Sequence, residues 1–279
     1  MLKREEIRIR DPFILTDNEN GCYYMYGTTS LDWGSLRAGR SFSVYKSHDL
    51  ESFEEGVTVF DGEKTDFWAN RDYWAPEVHK YNGKYYLFGS FKSDGVCRGT
   101  QILVSDTPDG EFKPISERPA TPSDWECLDG TFYLEDGVPY LIFCHEWVQI
   151  NDGEIWAVQL TPDLYQPSGE PFMLFKASDN PWVSEIRGTG SGKYVTDGPF
   201  MYKENGKLKM IWSSFSKGNY QVFIAESDGG ITGTWTHKKG EFEFDGGHAM
   251  IFNTLDGERM ISLHAPNKAG LERAAFFKF

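Results

Sequence analysis

The sequence predicts an all-β protein, a five-bladed β-propeller formed by residues 1–279 as one domain. Three observations support this prediction. Aromatic residues make up 16% of the chain beside 29 glycines, which is typical of short strands joined by tight turns. No candidate helix exceeds a turn or two. A unit of two or three strands recurs five times, and its copies begin at Asp11, Pro76, Asp129, Asp197 and His248. This spacing suits propeller blades, which need about 40–50 residues each before their connecting loops are added.

Each copy contains an apolar strand, a turn, an aromatic strand and then a third strand. In the first copy RDPFIL leads through Asn20-Gly21 to CYYMYGTT, and in the second WAPEVHKY leads through Asn82-Gly83 to KYYLFGSF. Both pairs predict two-residue hairpin turns, because a type I′ turn needs two positive-φ residues. The later copies are LDGTFYLEDGVPYLIFCHEW, TDGPFMYKENGKLKMIWSS and HAMIFNTLDGERMISLH. We expect HDLESFEE, TPDGEFKP and GGITGTWTH to add outer, fourth strands.

Charge and hydropathy exclude several classes of partner. A formal net charge of -14 disfavours nucleic acid and anionic membrane surfaces, so a neutral substrate is expected. No apolar run approaches the roughly 20 residues that span a bilayer. The opening MLKREEIRIRDP lacks the apolar core of a signal peptide, which predicts a cytoplasmic protein. The four cysteines are far apart and lack zinc-site spacing, so they are expected to be reduced thiols.

Three aspartates are expected to converge on one funnel. Asp11, Asp129 and Asp197 are interpreted as occupying the same strand-start position in blades one, three and four. The innermost strands of a propeller surround its axis, so residues at their entrances meet although they are distant in sequence. Repulsion between buried carboxylates raises the pKa of one and leaves another ionised, which is the division that a general acid and a general base require.

An ordered set of motifs opens the five copies and resembles glycoside hydrolase family 43 over essentially the whole chain. The motifs are Arg10-Asp11-Pro12, Trp74-Ala75-Pro76-Glu77, Asp129-Gly130, Asp197-Gly198-Pro199-Phe200 and Gly247-His248. The resemblance implies a five-bladed propeller with the activity of an α-L-arabinofuranosidase, β-xylosidase, arabinanase or galactosidase, and an inverting mechanism. It also implies that Asp11 is the general base and that Asp129 orients the acid and tunes its pKa.

The acid position departs from the family pattern. The family usually has Glu before Gly-Pro in blade four, whereas this chain has Asp197, whose side chain is shorter by one methylene, roughly 1.5 Å of reach. Asp197 is the predicted acid. Glu185, in the irregular segment after blade three, and Glu146 are the alternatives.

Substrate contacts are predicted at the blade entrances. A sugar pocket combines an aromatic platform with a few polar groups, and Trp74 is the predicted platform. Glu146, Arg273 and His248 are the other predicted substrate-binding residues. Further side chains that could close the pocket are Trp33, Trp147, Trp182 and Arg187. Arg10 is expected to pair with a neighbouring carboxylate.

The resemblance also implies a central hydrated calcium or sodium ion beside His248. The predicted chemistry requires no cofactor, and the sequence shows no dedicated loop for a hard cation. The alternative for His248 is a buried histidine bonded to a backbone carbonyl.

The predicted function is inverting release of terminal α-L-arabinofuranose or β-D-xylose from oligosaccharides or polysaccharides. The alternative enzyme functions are an exo-β-galactosidase and a fructan-type propeller hydrolase. Glu126-Cys127 favours the fructan type, but such enzymes have Asn-Asp-Pro in blade one, where this chain has Arg10-Asp11-Pro12. The non-enzyme alternative is a carbohydrate-binding propeller, which the absence of Glu before Gly198 favours.

Overall fold

The computed structural model describes residues 1–29, 39–240 and 242–279, which form five antiparallel sheets arranged as a β-propeller. The predicted fold class is confirmed. Blade one contains Leu2–Lys3, Arg10–Asp17, Cys22–Thr28, Ser41–Ser47, Ser52–Phe53 and Val57–Asp61. Blade two contains Arg71–Tyr81, Lys84–Ser93, Val96–Ser105 and Lys113–Pro114. Blade three contains Cys127–Glu135, Val138–His145, Glu154–Gln159 and Phe172–Lys176. Blade four contains Asp197–Glu204, Lys207–Ser216, Asn219–Ser227 and Trp235–Lys238, and blade five contains Gly247–Asn253, Arg259–Ala265 and Arg273–Lys278.

Helical segments are short, as the sequence predicts. They are Arg4–Glu6, Trp147–Ile150, Ala177–Asp179 and Ile186–Gly188. Among the described residues, no helix has the length and apolarity needed to cross a membrane. The four cysteines are free thiols, as expected. Trp33, one of the predicted pocket residues, lies outside the described residues.

One of the two predicted Asn-Gly turns is confirmed and the other is wrong. Asn82 and Gly83 both have positive φ, 48° and 78°, between strands that pair at Tyr81 and Lys84. In blade one the loop instead has four residues, 18–21, and Asp17 accepts hydrogen bonds from the amides of Glu19 and Asn20. The Asp17 side chain therefore organises this turn, because an aspartate carboxylate readily accepts amides two or three residues later.

The innermost strands are Arg10–Asp17, Arg71–Tyr81, Cys127–Glu135, Asp197–Glu204 and Gly247–Asn253, and neighbouring inner strands contact one another around the ring. The strands of a blade are counted outward from its inner strand. Apolar side chains fill the space between adjacent sheets. Phe60, Tyr73 and Phe91, for example, pack with ring centroids 4.9–6.0 Å apart where blades one and two meet. The ring places all five inner-strand entrances around one axis.

Blades one and five close the ring through hydrogen bonds. Ser262 Oγ donates to the carbonyl of Pro12 at 2.7 Å, and Thr16 Oγ1 donates to the carbonyl of Asn253 at 2.6 Å. The amide of Ile9 donates to the carbonyl of Glu272, and the Ile9 side chain is fully buried. The closure brings the entrance of blade one beside that of blade five.

Candidate active site

A repeated backbone irregularity marks the entrance of each inner strand. Within it one residue adopts positive φ, 46–54°, and the strand pairing loses register there. The five positive-φ residues are Asp11, Ala75, Asp129, Gly198 and His248. The sequence analysis took Pro76 and Asp197 as equivalent to Asp11, Asp129 and His248. The equivalent residues are instead their neighbours Ala75 and Gly198. Asp197 instead corresponds to Arg10, because both pair across to the second strand just before the irregularity.

Hydrogen bonds between blades hold these entrances. In four blades, the amide of the positive-φ residue donates to a side chain on the second strand of the preceding blade, at 2.8–3.3 Å. The donor–acceptor pairs are Ala75 to Thr28, Asp129 to Ser90, His248 to Ser213 and Asp11 to His264 Nδ1. A buried amide needs a partner, so this ring of bonds fixes the backbone that carries the functional side chains.

Blade three breaks the pattern at Cys144. Cys144 occupies the second-strand position held elsewhere by Thr28, Ser90, Ser213 or His264, as its pairing with Leu128 shows. A thiol is a weak acceptor. The amide of Gly198 donates instead to Asp129 Oδ2 at 3.0 Å. The Asp129 carboxylate thus replaces the missing second-strand acceptor.

Asp11 is surrounded by groups that favour its ionised form. Burial by itself raises the pKa of Asp11, but His248 and Arg10 hold that pKa well below its ordinary value. His248 Nδ1 lies 3.2 Å from Asp11 Oδ1, and Thr28 Oγ1 donates to Asp11 Oδ2 at 2.7 Å. Asp11 is therefore a carboxylate at neutral pH, able to accept a proton.

Asp129 and Asp197 are shifted in the opposite direction. Burial, followed by the charge of Asp11, raises the pKa of Asp129 well above its ordinary value. Burial, followed by the charge of Asp129, raises the pKa of Asp197 to about 8. Asp197 retains partial exposure, whereas Asp11 and Asp129 are buried. Asp197 can therefore hold a proton at neutral pH and remain accessible.

Tyr220 contacts the acid position and was missed by sequence reasoning. Its Oη donates to Asp197 Oδ2 at 3.0 Å, and its ring stacks on His264 with the planes 16° apart. Tyr220 begins the third strand of blade four, a position that the repeat does not associate with the funnel. The one sequence signal was Gly247, because a glycine at this position leaves room for the ring of Tyr220.

Arg10 is anchored by two residues of the neighbouring blade five. Its guanidinium donates to Asn267 Oδ1 at 2.8 Å and to the fully buried Glu272 at 3.3 Å, which confirms the expected pairing with a carboxylate. The same Asn267 oxygen lies 3.3 Å from His264 Nε2. Because an amide oxygen can only accept, His264 carries its proton on Nε2 and offers Nδ1 to the Asp11 amide.

The predicted aromatic platform lies at the entrance of blade two. Trp74 is half-buried, and the guanidinium carbon of Arg98 lies 4.3 Å from a Trp74 ring centroid. Arg98 in turn donates to Asp72 Oδ2 at 2.8 Å and bonds to Glu146. Glu146 is buried by this pairing, so its carboxylate supports Arg98 rather than lining the pocket as the sequence analysis expected. Burial raises the pKa of Glu146, and the charge of Arg98 opposes that shift.

Two other predicted residues lie elsewhere. Arg273 was expected to reach the pocket, but its guanidinium donates to the carbonyls of Glu5, Gly270 and Glu272. That prediction is wrong, because Arg273 ties the last strand to the segment before blade one. In the described part of the chain no hydrogen bond or ion pair joins Glu185 to the three aspartates, so Asp197 is the better-placed acid.

The rim between blades three and four carries the remaining aromatic candidates. Trp147 packs beside Tyr220 and Phe215, and Lys193 Nζ lies 5.2 Å from its ring centroid. Trp182 is 40% exposed on the following segment, where Arg187 is also exposed. These side chains lie at the rim and make no described contact with the aspartates.

A metal site is not assembled from the described residues. They contain no group of three or more His, Cys, Asp and Glu side chains that could hold a metal ion. His248 Nδ1 faces carboxylate oxygens of Asp11 and Asp129, at 3.2 and 3.6 Å. The His248 ring is therefore placed to pair with these two carboxylates.

Comparison with known proteins agrees with this geometry. An extracellular endo-α-(1→5)-L-arabinanase of Bacillus subtilis is 24% identical over 87% of this chain and 72% of that protein. An extracellular exo-α-(1→5)-L-arabinofuranosidase of Streptomyces chartreusis is 26% identical over 58% of this chain and 50% of its own length. A crystal structure described as an endo-arabinase from Bacteroides thetaiotaomicron is 43% identical, with a TM-score of 0.91, and covers 100% of this chain and 96% of that one. The model of glycosyl hydrolases family 43 matches residues 6–277, and the chain therefore belongs to glycoside hydrolase family 43.

Proposed function

We propose that this protein hydrolyses α-linked L-arabinofuranosides of arabinan or arabino-oligosaccharides with inversion at the anomeric carbon. The observation that carries the proposal is the opposite ionisation of two aspartates at one funnel. His248 and Arg10 favour the charged form of Asp11, whereas burial and Asp129 favour the protonated form of Asp197. Inverting hydrolysis requires this combination of one base and one acid.

In the proposed reaction, Asp11 removes a proton from a water molecule as the oxygen of that water attacks the anomeric carbon. Asp197 donates its proton to the glycosidic oxygen as the bond to the leaving group breaks. Asp11 ends protonated and Asp197 ends ionised, and exchange with solvent restores both. Asp129 keeps the pKa of Asp197 high and, through the Gly198 amide, holds the backbone beside the acid.

Arabinose is favoured over xylose because similar proteins are named as an arabinanase, an arabinofuranosidase and an endo-arabinase. The half-buried Trp74 supplies an apolar platform for a sugar face, and the Arg98 guanidinium over its ring helps to keep the indole in place. Membership of family 43 sets aside the fructan-type alternative.

The place of cleavage along the polymer is a separate part of the proposal. The sequence analysis predicts release of terminal sugar. Relatives of both kinds exist, because one is named as an endo-enzyme and another as an exo-enzyme. Debranched arabinan distinguishes the two modes, since terminal action yields only monosaccharide at early times and internal action yields a series of oligosaccharides.

The test is hydrolysis of debranched arabinan, arabinotriose and xylotriose, with the anomer first released followed by ¹H NMR. We expect cleavage of the arabinose substrates with inverted configuration, and loss of at least about 10³-fold activity in Asp11→Asn. Retained configuration would contradict the mechanism, and preferential cleavage of xylotriose would contradict the substrate. Binding of arabinotriose without turnover above Asp11→Asn would identify a carbohydrate-binding propeller instead.

A further inference from the structure

Tyr220 reaches the acid position from a strand that does not belong to the inner ring. It lies at the start of Asn219–Ser227, the third strand of blade four, and its side chain is 2% exposed. The amide of Tyr220 donates to Asp245 Oδ1 at 3.0 Å, and its ring packs against Phe215 and His264. The phenol is thus held on several sides, with its hydroxyl directed to Asp197 Oδ2 at 3.0 Å.

The approach of this ring depends on a missing side chain in blade five. Gly247 occupies the entrance position that carries Arg10, Trp74, Leu128 and Asp197 in the other blades. A Cβ atom at Gly247 would lie 2.6 Å from Cε1 of Tyr220, which is closer than side-chain atoms pack. The ring of Tyr220 therefore fills the space that a fifth entrance side chain would occupy.

We propose that Tyr220 is a positioning residue that directs the transferable proton of Asp197 onto Oδ1, the oxygen used in proton donation. This inference rests on the proposed role of Asp197 as general acid. A neutral carboxyl group has two oxygens, and its proton can reside on either. A phenol that donates to Oδ2 makes Oδ2 an acceptor, so the carboxyl proton resides on Oδ1.

The electrostatics of Tyr220 agree with a permanent donor. Burial, followed by the charge of Asp197, raises the pKa of the Tyr220 phenol well above its ordinary value. The phenol therefore keeps its proton at neutral pH and can act as a donor to Asp197. The hydrogen bond from Tyr220 matters more for aspartate than for glutamate, because the shorter side chain has less freedom to turn the correct oxygen toward the leaving group.

The test compares leaving groups in Tyr220→Phe, which removes only the hydroxyl. A natural arabinosyl leaving group needs protonation, whereas 2,4-dinitrophenolate leaves without it. We expect kcat on arabinobiose to fall about tenfold or more, within the usual range of acid catalysis, with KM changed less than about twofold. On 2,4-dinitrophenyl α-L-arabinofuranoside we expect a change below about threefold.

The pH profile gives a second readout. Groups that face Asp197 are Asp129, His248, Glu146 and Tyr220, with Arg10 nearby. The hydrogen bond from Tyr220 favours the ionised form of Asp197, so its removal should move the alkaline limb of kcat/KM to higher pH. A purely structural loss would lower activity on every substrate and leave that limb in place.

Two matched variants complete the design. Tyr26→Phe removes another buried phenol hydroxyl, which donates to the carbonyl of Pro108, and should leave the ratio of rates on the two substrates unchanged. Asp197→Asn should show a larger leaving-group effect than Tyr220→Phe.

Two outcomes separate the role of Tyr220 from that of Asp197. If Tyr220→Phe loses equal activity on both substrates, or none, while Asp197→Asn still differs between the two substrates, the role of Tyr220 is overturned. If Asp197→Asn itself fails to discriminate, the assignment of the acid is wrong, and the positioning role falls with it.

Discussion

Asp11 and Asp129 occupy equivalent backbone positions, and their neighbours determine how they differ. Thr28 donates a hydroxyl to Asp11, whereas the equivalent residue beside Asp129 is Cys144. Asp11 also has His248 at 3.2 Å, while Asp129 lies 3.6 Å from the same ring. Identical carboxyl groups with identical φ thereby receive opposite pKa shifts, because the ionisation of a buried acid is determined by its hydrogen bonds and nearby charges.

The first prediction at this scale concerns the alkaline limb of activity. With the pKa of Asp197 at about 8, kcat/KM should fall as pH rises through about 8, because the acid loses its proton. The charge of Asp129 contributes to that elevation, so Asp129→Asn should move the limb to lower pH as well as reduce kcat. A pH–rate profile measures both effects, and a limb that does not move in Asp129→Asn would contradict the coupling.

The second prediction concerns stability. A carboxyl group whose pKa is raised by folding binds more protons in the native state between its ordinary pKa and about 8, so stability falls as pH rises through this interval. Asp197→Asn should therefore raise Tm at pH 8.5 by about a few degrees and change it little at pH 4.5. Thermal unfolding at both pH values measures the difference, with the exposed Asp124→Asn as control. An equal change at the two pH values would contradict the prediction.

At the scale of the strands, each blade supplies the same irregular entrance with a different side chain. Arg10, Trp74 and Asp197 stand at equivalent positions, where they place a guanidinium, an indole and a carboxyl group. The repeated backbone holds these side chains in place through the amide bonds between blades. Chemical variety is thus introduced at one position per blade without a change in the strand framework.

Gly247 provides the third prediction. In Gly247→Ala the new methyl group would meet the ring of Tyr220 at 2.6 Å, so the ring and its bond to Asp197 must shift. We expect a folded protein whose kcat on arabinobiose is reduced about tenfold or more. Gly169→Ala serves as control, because no atom lies within 4 Å of its added Cβ. Normal activity in Gly247→Ala would show that the ring is not held as described.

Arg98 provides the fourth prediction. Arg98→Met keeps a long apolar side chain near Trp74 but leaves the buried Glu146 without its cationic partner. Uncompensated burial of that carboxylate should lower Tm, and a displaced indole should raise KM about tenfold with a smaller change in kcat. Steady-state kinetics and thermal unfolding test this prediction. The KM and Tm of Arg98→Lys are expected to lie between those of the wild type and Arg98→Met. A change in kcat alone would contradict a platform role for Trp74.

The strand framework could be predicted from sequence because it depends on local pattern. The strand–turn–aromatic strand unit and its blade-length spacing identified all five blades, and the motif residues Asp11 and Asp129 could be placed by the same pattern. The offset of Asp197 could not, because the break in register depends on pairing with Ser213 rather than on the motif itself. Tyr220 was missed for the same reason, since its contact with Asp197 joins a third strand to an inner strand.

Side-chain direction was the second source of error. Arg273 and Glu146 lie in the expected segments, yet each bonds to partners that no local motif reveals. Arg273 finds three backbone carbonyls, and Glu146 finds the guanidinium of Arg98. Long charged side chains can reach several partners from one backbone position, so their destinations depend on the packed structure.

For the whole molecule, the position of Asp11, the proposed base, depends on closure of the ring, because the Asp11 amide donates to His264 of blade five. Ile9 supports this junction, since its side chain is fully buried and a Cβ at Gly27 would meet it at 2.5 Å. Ile9→Ala should cost about 2–5 kcal/mol of unfolding free energy and lower Tm by roughly 10 °C. Circular dichroism and residual activity, followed on heating, should give coincident midpoints in this variant, because opening the junction displaces Asp11. The control is Leu134→Ala, at an exposed position, which should leave the two midpoints unchanged. Loss of activity well below the unfolding midpoint in Ile9→Ala would show that the junction opens independently of the remaining blades.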